Sequence, residues 1–113
     1  MKSFYYALSG FMYALRTEYN MRIHAGSTVA VCIAGFLLHI STIEWLLVVA
    51  AVVAVVAAEL FNTAVEVLCN HVTPEFHPAI KQVKDVSAAA VLVISFGAAL
   101  TGAIIFIPKL FSL

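Results

Sequence analysis

Two carboxylates seven positions apart mark the segment of this chain that is best suited to chemistry. Between Glu59 and Glu66 the polar side chains occupy positions 59, 62, 63 and 66. In an α-helix these positions are i, i+3, i+4 and i+7, so Glu59, Asn62 and Glu66 share one stripe. Clustered carboxylates can accept protons or bind a hard divalent cation. The spacing therefore predicts acid–base chemistry or a cation site.

The residues around this stripe are apolar enough for a lipid bilayer. Of the 113 residues, 64% are hydrophobic and 11% are charged, and the mean hydropathy is +1.06. An ordinary soluble domain is roughly 45–50% apolar and about 25% charged. Six Lys and Arg balance six Asp and Glu, so no basic surface indicates nucleic acid. We expect a membrane protein that binds no nucleic acid.

Three apolar stretches are long enough to cross a membrane. A hydrocarbon core of about 30 Å takes roughly 20 helical residues. The stretches that qualify are 25–43, 45–69 and 86–107. The last is expected to end at Pro108, because proline cannot continue the helical hydrogen bonding. Small residues on the second and third stretches predict close helix packing, so we expect an oligomer.

The segment before these stretches is expected to lie on the membrane surface. Residues 1–23 mix aromatic and basic side chains, which is typical of an amphipathic helix in the interface plane. Glu18 and Arg22 are spaced four apart, which supports helicity. The predicted fold is all-α, a single integral-membrane domain over residues 1–113 with a surface helix and three transmembrane helices.

Basic residues set the expected orientation. The N-terminal segment and the connection at 70–85 carry Lys or Arg, whereas the turn at 41–44 carries none. The positive-inside bias therefore predicts that the first two face the cytoplasm. Lys109 is the exception, because it follows the last span at the opposite end.

Glu59 is expected inside the bilayer and Glu66 at its inner boundary. If Trp45 marks the outer interface, a rise of about 1.5 Å per residue places these carboxylates roughly 21 Å and roughly 31 Å deeper. An ionisable group at such depth costs on the order of 2.5–3.5 kcal/mol to insert and commonly has a function. The alternatives are a structural carboxylate paired across subunits, or a helix that ends at Glu59.

Other charged residues are expected at the level of Glu66. Glu18 on the surface helix and the pair Lys84-Asp85 before the third span can meet it at the inner leaflet. Mg²⁺ commonly binds through one or two carboxylates plus phosphates, and Lys84 can offset phosphate charge. For Lys84-Asp85 taken alone, a solvated helix start is the alternative.

The remaining metal and phosphate signatures are absent. No glycine-rich Walker loop precedes a lysine. Cys32 and Cys69 lie apart in apolar surroundings and are expected to be packing residues. The histidines match no zinc spacing and are expected at interfacial or loop positions; they are His24, His39, His71 and His77.

Three blocks of this sequence carry a resemblance to a known family. They read ELFNTAVE at 59–66, KDVSAAAVL at 84–92 and EYNMRIH at 18–24. In combination they resemble the small bacterial integral-membrane lipid kinases, the prokaryotic diacylglycerol kinase and undecaprenol kinase family. The similarity runs from about Tyr6 to Leu100 without evident gaps.

The resemblance implies a homotrimer with active sites at subunit interfaces. It implies ATP- and Mg²⁺-dependent phosphorylation of a membrane lipid alcohol, undecaprenol or diacylglycerol. It also implies a multi-pass protein of the bacterial inner membrane, with the active site on the cytoplasmic side. His24 completes a pattern similar to that of undecaprenol kinases, whereas members specialised for diacylglycerol often carry glutamate there, so undecaprenol is favoured.

The resemblance also assigns roles to individual residues. Glu59 matches the catalytic base, and Glu18 and Glu66 match the metal-binding carboxylates. The positions that match nucleotide-contacting or other active-site residues are Tyr6, Glu18, Asn62, Glu66, Glu75, His77, Lys84 and Asp85. Gln82 departs from the family pattern, which has an arginine shortly before the Lys-Asp pair.

Two other classes of protein are consistent with an intramembrane glutamate. A small proton-coupled transporter would use Glu59 as a protonatable group. Transporters commonly show more spans and internal symmetry, which this chain lacks. A pore or scaffold protein gives no reason for two glutamates and Asn62 on one stripe.

Overall fold

The chain folds into four α-helices and no strand in a computed structural model that describes all 113 residues. The helices are α1 (Lys2–Thr17), α2 (Tyr19–Leu37), α3 (Thr42–Val72) and α4 (Pro78–Phe111). The long helices α3 and α4 pack against each other as an antiparallel pair, α2 packs on α3, and α1 contacts both α2 and α3. The all-α prediction is confirmed.

Two helices, α3 and α4, are long and apolar enough to cross a membrane. The stretch predicted at 25–43 belongs to α2, which begins at Tyr19 and already ends at Leu37. The first turns of α2 hold Asn20 and Arg22, so its apolar part is shorter than that of the other two helices. Length and composition therefore single out the α3–α4 pair.

The apolar surface of the chain is mostly uncovered. Only 11 of the 113 residues are buried, and large apolar side chains are exposed on all four helices. One small apolar cluster joins the α2–α3 turn to α3 and α4, and it is formed by Ile40, Val48 and Ile105. Because exposed apolar surface of this extent is unfavourable in water, the helices require a lipid or protein environment.

Residues 1–23 do not form the single helix that the sequence predicts. Glu18 adopts an extended backbone, with φ −109° and ψ 115°, and separates α1 from α2. Glu18 and Arg22 form no ion pair. The prediction that a Glu18–Arg22 pair supports helicity is therefore wrong, because the break takes Glu18 out of the helical register. No Gly or Pro marks this break in the sequence.

The α2–α3 turn is a compact helix stop. His39 has φ 52°, and the Ile40 N–H donates to the Gly35 carbonyl at 3.2 Å, the pattern of a Schellman motif. Gly35 is required by packing, because a Cβ there would lie 2.7 Å from the Trp45 ring.

The start of α3 and the end of α4 are tied together by polar groups. The Glu44 N–H donates to Ser41 Oγ at 3.2 Å and the Ser41 N–H donates to Glu44 Oε1 at 2.8 Å, a capping box. Lys109 Nζ lies 3.1 Å from the same carboxylate oxygen. This ion pair accounts for Lys109, the exception to the positive-inside pattern, because Glu44 at the same end balances its charge.

Helix α4 extends beyond the predicted apolar span in both directions. It begins at Pro78, where His77 Nδ1 accepts from the Ala79 N–H at 3.2 Å, eight residues before the span predicted at 86–107. It continues through Pro108 to Phe111, so the expected stop at Pro108 is wrong. A proline this close to the helix end removes one hydrogen bond, and the helix ends one turn later.

Candidate active site

The polar stripe of α3 is buried, as an intramembrane site would require. Glu59 is 1% exposed, Asn62 6% and Thr63 5%, and Glu66 is half-buried one turn further on. The first three are the polar members of a buried set of only eleven residues. The helical spacing read from the sequence is confirmed, since α3 runs unbroken from Thr42 to Val72.

A short hydrogen-bonded chain connects this stripe to α4. Ser87 Oγ donates to Asn62 Oδ1 at 2.8 Å, and Asn62 Nδ2 donates to Glu66 Oε1 at 3.4 Å. Both polar atoms of the Asn62 amide are therefore engaged, which fixes the amide orientation. The chain also sets the register of α3 against α4 at this end of the pair.

Glu18 joins the carboxylates of α3 from the other side. Burial raises the pKa of Glu18 above its usual value, and the negative charges of Glu66 and Glu59 raise it further. The extended backbone at position 18 places this side chain beside α3 instead of on the face of a continuous helix. Glu59 and Glu66 therefore lie near enough to Glu18 to raise its pKa, and we call these three residues the acidic cluster.

Glu59 lacks a hydrogen-bond partner at both carboxylate oxygens. The Thr63 hydroxyl donates to the Glu59 backbone carbonyl at 3.0 Å and does not reach its carboxylate. The nearest ionisable partner is His24, whose Nε2 lies 3.7 Å from Glu59 Oε2. His24 does not lie in a loop but on α2, which directs it toward α3; its interfacial position stays a prediction.

Lys84 and Asp85 lie at the end of the helix pair that carries the acidic cluster, but their side chains bond other residues. Lys84 Nζ donates to Asn70 Oδ1 at 2.6 Å. Lys81 Nζ donates to Asp85 Oδ2 at 2.6 Å, and this pair is exposed. Neither Lys84 nor Asp85 contacts the acidic cluster.

Three predicted nucleotide contacts are surface residues with local interactions. Tyr6 is exposed on α1 and packs edge-on against Tyr5. Glu75 lies in the α3–α4 connection, where its N–H donates to Thr73 Oγ1 at 3.3 Å. His77 caps α4. None of the three contacts the acidic cluster, and their binding role stays a prediction.

The acidic cluster fits a divalent cation that also binds phosphates. No Lys or Arg is paired with Glu18, Glu59 or Glu66. The chain forms no complete cage, since no group of three His, Cys, Asp or Glu side chains is close enough to hold a metal ion. Mg²⁺ is commonly held by one or two carboxylates with phosphate and water completing its coordination. The donor set therefore suits Mg²⁺ better than a metal that needs a full protein cage.

Two residues of this site have no catalytic or binding role in the sequence-based predictions. Ser87 lies three positions after Lys84 and so shares its helix face, which is the signal that could have pointed to it. His24 ends the EYNMRIH block, but its proximity to Glu59 depends on how α2 packs on α3. The contacts of both residues depend on how the helices pack, because each joins two different helices.

Comparison with known proteins identifies the family. Residues 5–106 match the family described as prokaryotic diacylglycerol kinase. The chain belongs to this family. Two members of known function are similar to this chain over nearly its whole length. Undecaprenol kinase of Bacillus subtilis is 39% identical over 109 residues, 96% of this chain and 89% of the relative. Diacylglycerol kinase of Synechocystis sp. is 38% identical over 112 residues, 98% of this chain and 64% of the relative.

A third relative matches a shorter part of the chain. Diacylglycerol kinase of Pseudomonas aeruginosa is 35% identical over 85 residues, 75% of this chain and 69% of the relative. The chain is thus a membrane protein and a lipid kinase, as the resemblance implies. The kinase interpretation is confirmed in preference to the transporter and scaffold alternatives.

Proposed function

We propose that this chain transfers the γ-phosphoryl group of ATP to the hydroxyl of undecaprenol, with Mg²⁺ as cofactor. The observation that carries the proposal is Glu59, a fully buried carboxylate without a hydrogen-bond partner, next to the carboxylates of Glu18 and Glu66. Phosphoryl transfer to an alcohol needs a positioned proton acceptor and a cation across the phosphates. The acidic cluster offers both.

Each residue of the cluster has a distinct proposed part. Glu59 accepts the proton of the lipid hydroxyl, because it lies deepest on the stripe, where a lipid alcohol enters. Glu18 and Glu66 hold Mg²⁺, which when bound neutralises negative charge on the phosphates. Asn62 stays oriented by Ser87 and presents its Nδ2 to Glu66, so the carboxylate keeps one orientation.

The proposed nucleotide site lies at the end of α3 and α4 that carries the acidic cluster. Lys84 is proposed to leave Asn70 and pair with phosphate oxygens, since its present partner is a neutral amide. Asp85 is proposed to contribute beside it. The remaining proposed nucleotide contacts are Tyr6, Glu75 and His77.

The helix lengths support a membrane placement with this site on the cytoplasmic side. At about 1.5 Å per residue, the 31 residues of α3 and the 34 of α4 span about 46 Å and about 51 Å, more than the roughly 30 Å of hydrocarbon. We place the excess at the inner surface, where it carries Glu66 and Lys84. We propose α2 as the third transmembrane helix and α1 as the surface helix of a multi-pass inner-membrane protein.

The chain is proposed to work as a homotrimer of single-domain subunits over residues 1–113. A subunit with eleven buried residues leaves most apolar side chains to be covered by lipid or by sister subunits. Small residues on α4, among them Gly97 and Gly102, leave open space for close approach of another helix. A trimeric protein mass measured by light scattering after subtraction of detergent would agree with the proposal.

The choice of undecaprenol rests on the similarity to the Bacillus relative and on His24. The alignment to the undecaprenol kinase accounts for 89% of that relative, against 64% and 69% for the two diacylglycerol kinases. His24 completes a sequence pattern that is similar to that of undecaprenol kinases. Both observations favour a prenyl alcohol over a glyceride.

The test is phosphoryl transfer by the purified protein in detergent. Labelled ATP and Mg²⁺ are supplied with undecaprenol or with diacylglycerol at equal mole fraction. We expect faster labelling of undecaprenol and loss of the reaction when Mg²⁺ is chelated. Faster labelling of diacylglycerol would overturn the lipid choice alone, and no transfer to either lipid would overturn the proposed function.

A further inference from the structure

The carboxylate of Glu59 has one available polar neighbour in the chain. The other polar side chains of the stripe are engaged, because the Thr63 hydroxyl bonds a backbone carbonyl and the Asn62 amide bonds Glu66 and Ser87. His24 is the remaining group, with Nε2 at 3.7 Å from Glu59 Oε2. Neither oxygen of Glu59 has another donor within reach.

Helix α2 holds His24 between Glu59 and a cavity. Its side chain is 19% exposed and lines a partly open cavity of about 250 Å³ between α2, α3 and α4. The Thr28 hydroxyl donates to the His24 backbone carbonyl at 2.8 Å and leaves the imidazole of His24 unengaged. The imidazole is therefore free to turn its Nε2 toward Glu59.

A buried base needs a donor that keeps it ionised and oriented. A carboxylate removed from water loses its solvent hydrogen bonds, and a single donor offsets part of that loss. At 3.7 Å the contact is longer than a hydrogen bond, but catalytic hydrogen bonds are often long before substrate binds. Nε2 can donate in the imidazolium and in one neutral tautomer, so donation does not depend on a charged ring.

We infer that His24 is a positioning residue for Glu59: its Nε2–H holds Oε2 and leaves Oε1 for the proton of the lipid hydroxyl. The inference rests on the proposed function, because it assumes that Glu59 is the base. His24 itself touches neither the hydroxyl nor the phosphates in this arrangement. Its effect on the reaction passes entirely through the carboxylate.

The test compares three substitutions of His24 in the purified kinase. His24→Gln introduces an amide donor with reach similar to that of Nε2, so this variant keeps kcat within about threefold of the wild type. His24→Asn, whose amide is too short to reach, and His24→Leu, which has no donor, lower kcat about tenfold to hundredfold. That loss is the size expected of one hydrogen bond to a charged group. KM for ATP stays within about twofold in all three, because the nucleotide site is separate.

A double-mutant cycle separates positioning from packing. If His24 acts through Glu59, adding His24→Leu to Glu59→Gln lowers the residual kcat by no more than about twofold. Ser27→Ala is the control, since Ser27 lines the same cavity without contacting Glu59, and its kcat stays at the wild-type value. Equal losses in the His24→Gln and His24→Asn variants, or a loss that adds in full to Glu59→Gln, would overturn the inference. An inactive wild type would instead overturn the proposed function.

Discussion

The two ends of the α3–α4 pair each hold buried or half-buried glutamates, but the surroundings of these glutamates are opposite. At the end that the proposed orientation makes the outer one, Glu44 accepts from the Ser41 N–H and pairs with Lys109. At the inner end, Glu59 has no partner at either oxygen, and Glu18 faces two other carboxylates. The same residue type is neutralised at one end and left uncompensated at the other.

The contrast indicates a division between stability and function. A carboxylate with a cap and a cation nearby stabilises the fold, because its charge is matched. A buried carboxylate without a donor lowers stability, and such an arrangement persists where a ligand or substrate completes it. The outer end therefore closes the helix pair, and the inner end is the one for which we propose binding and reaction.

The largest effect is expected at Glu59. Glu59→Gln lowers kcat by about 10²–10⁴-fold, because the amide cannot accept the hydroxyl proton. The melting temperature stays equal or rises, since an uncompensated buried charge is removed. Turnover and thermal unfolding of the same preparation measure both. A folded Glu59→Gln protein with wild-type turnover would refute the assignment of the base.

Ser87 tests the hydrogen-bonded chain that orients the inner end. Ser87→Ala removes the donor to Asn62 Oδ1 and is expected to lower kcat about fivefold to tenfold, in line with the loss of one neutral hydrogen bond. Ser95→Ala is the matched control on the same helix, because the Ser95 hydroxyl is buried without a partner. Equal turnover in the two variants would show that Asn62 needs no support from α4.

Glu44 tests the outer end. Glu44→Gln weakens the capping box and removes the ion pair to Lys109, so we expect a melting temperature lower than that of the wild type by a few degrees. Turnover at a temperature where both proteins are folded is expected to be unchanged. Lys109→Gln, measured in parallel, isolates the ion pair. A drop in turnover without a drop in stability would break the division between the two ends.

Glu18 is expected to give the smallest effect on stability, and one that depends on pH. Because its pKa is raised in the fold, its contribution to stability is present below the usual carboxyl value of 4.5 and is lost as pH rises through the raised value. Glu18→Gln is therefore more stable than the wild type above that range, by on the order of 0.5 kcal/mol, the size of an exposed like-charge contact.

The dependence of this stability difference on Mg²⁺ tests Glu18 as a ligand of the proposed cation. Thermal unfolding with and without Mg²⁺ measures the difference between Glu18→Gln and the wild type. The difference is expected to shrink when Mg²⁺ is added, because the cation stabilises the wild-type carboxylates. A difference that Mg²⁺ leaves unchanged would contradict Glu18 as a metal ligand.

The sequence by itself determined the class of protein and the reactive stripe. Composition excludes a soluble globule, and the period of 3.6 residues places Glu59, Asn62 and Glu66 on one face of any unbroken helix. These features are local, since they follow from side-chain chemistry and the helix repeat. The same is true of the motif blocks from which the family resemblance came.

Only the tertiary structure decided where the chain bends and which side chains meet. The break at Glu18 has no Gly or Pro to announce it, and it is what turns that carboxylate toward α3. The contacts His24–Glu59 and Ser87–Asn62 join residues 35 and 25 positions apart. Such contacts depend on the packing of whole helices, where many weak side-chain interactions choose the register, and no local pattern encodes that sum.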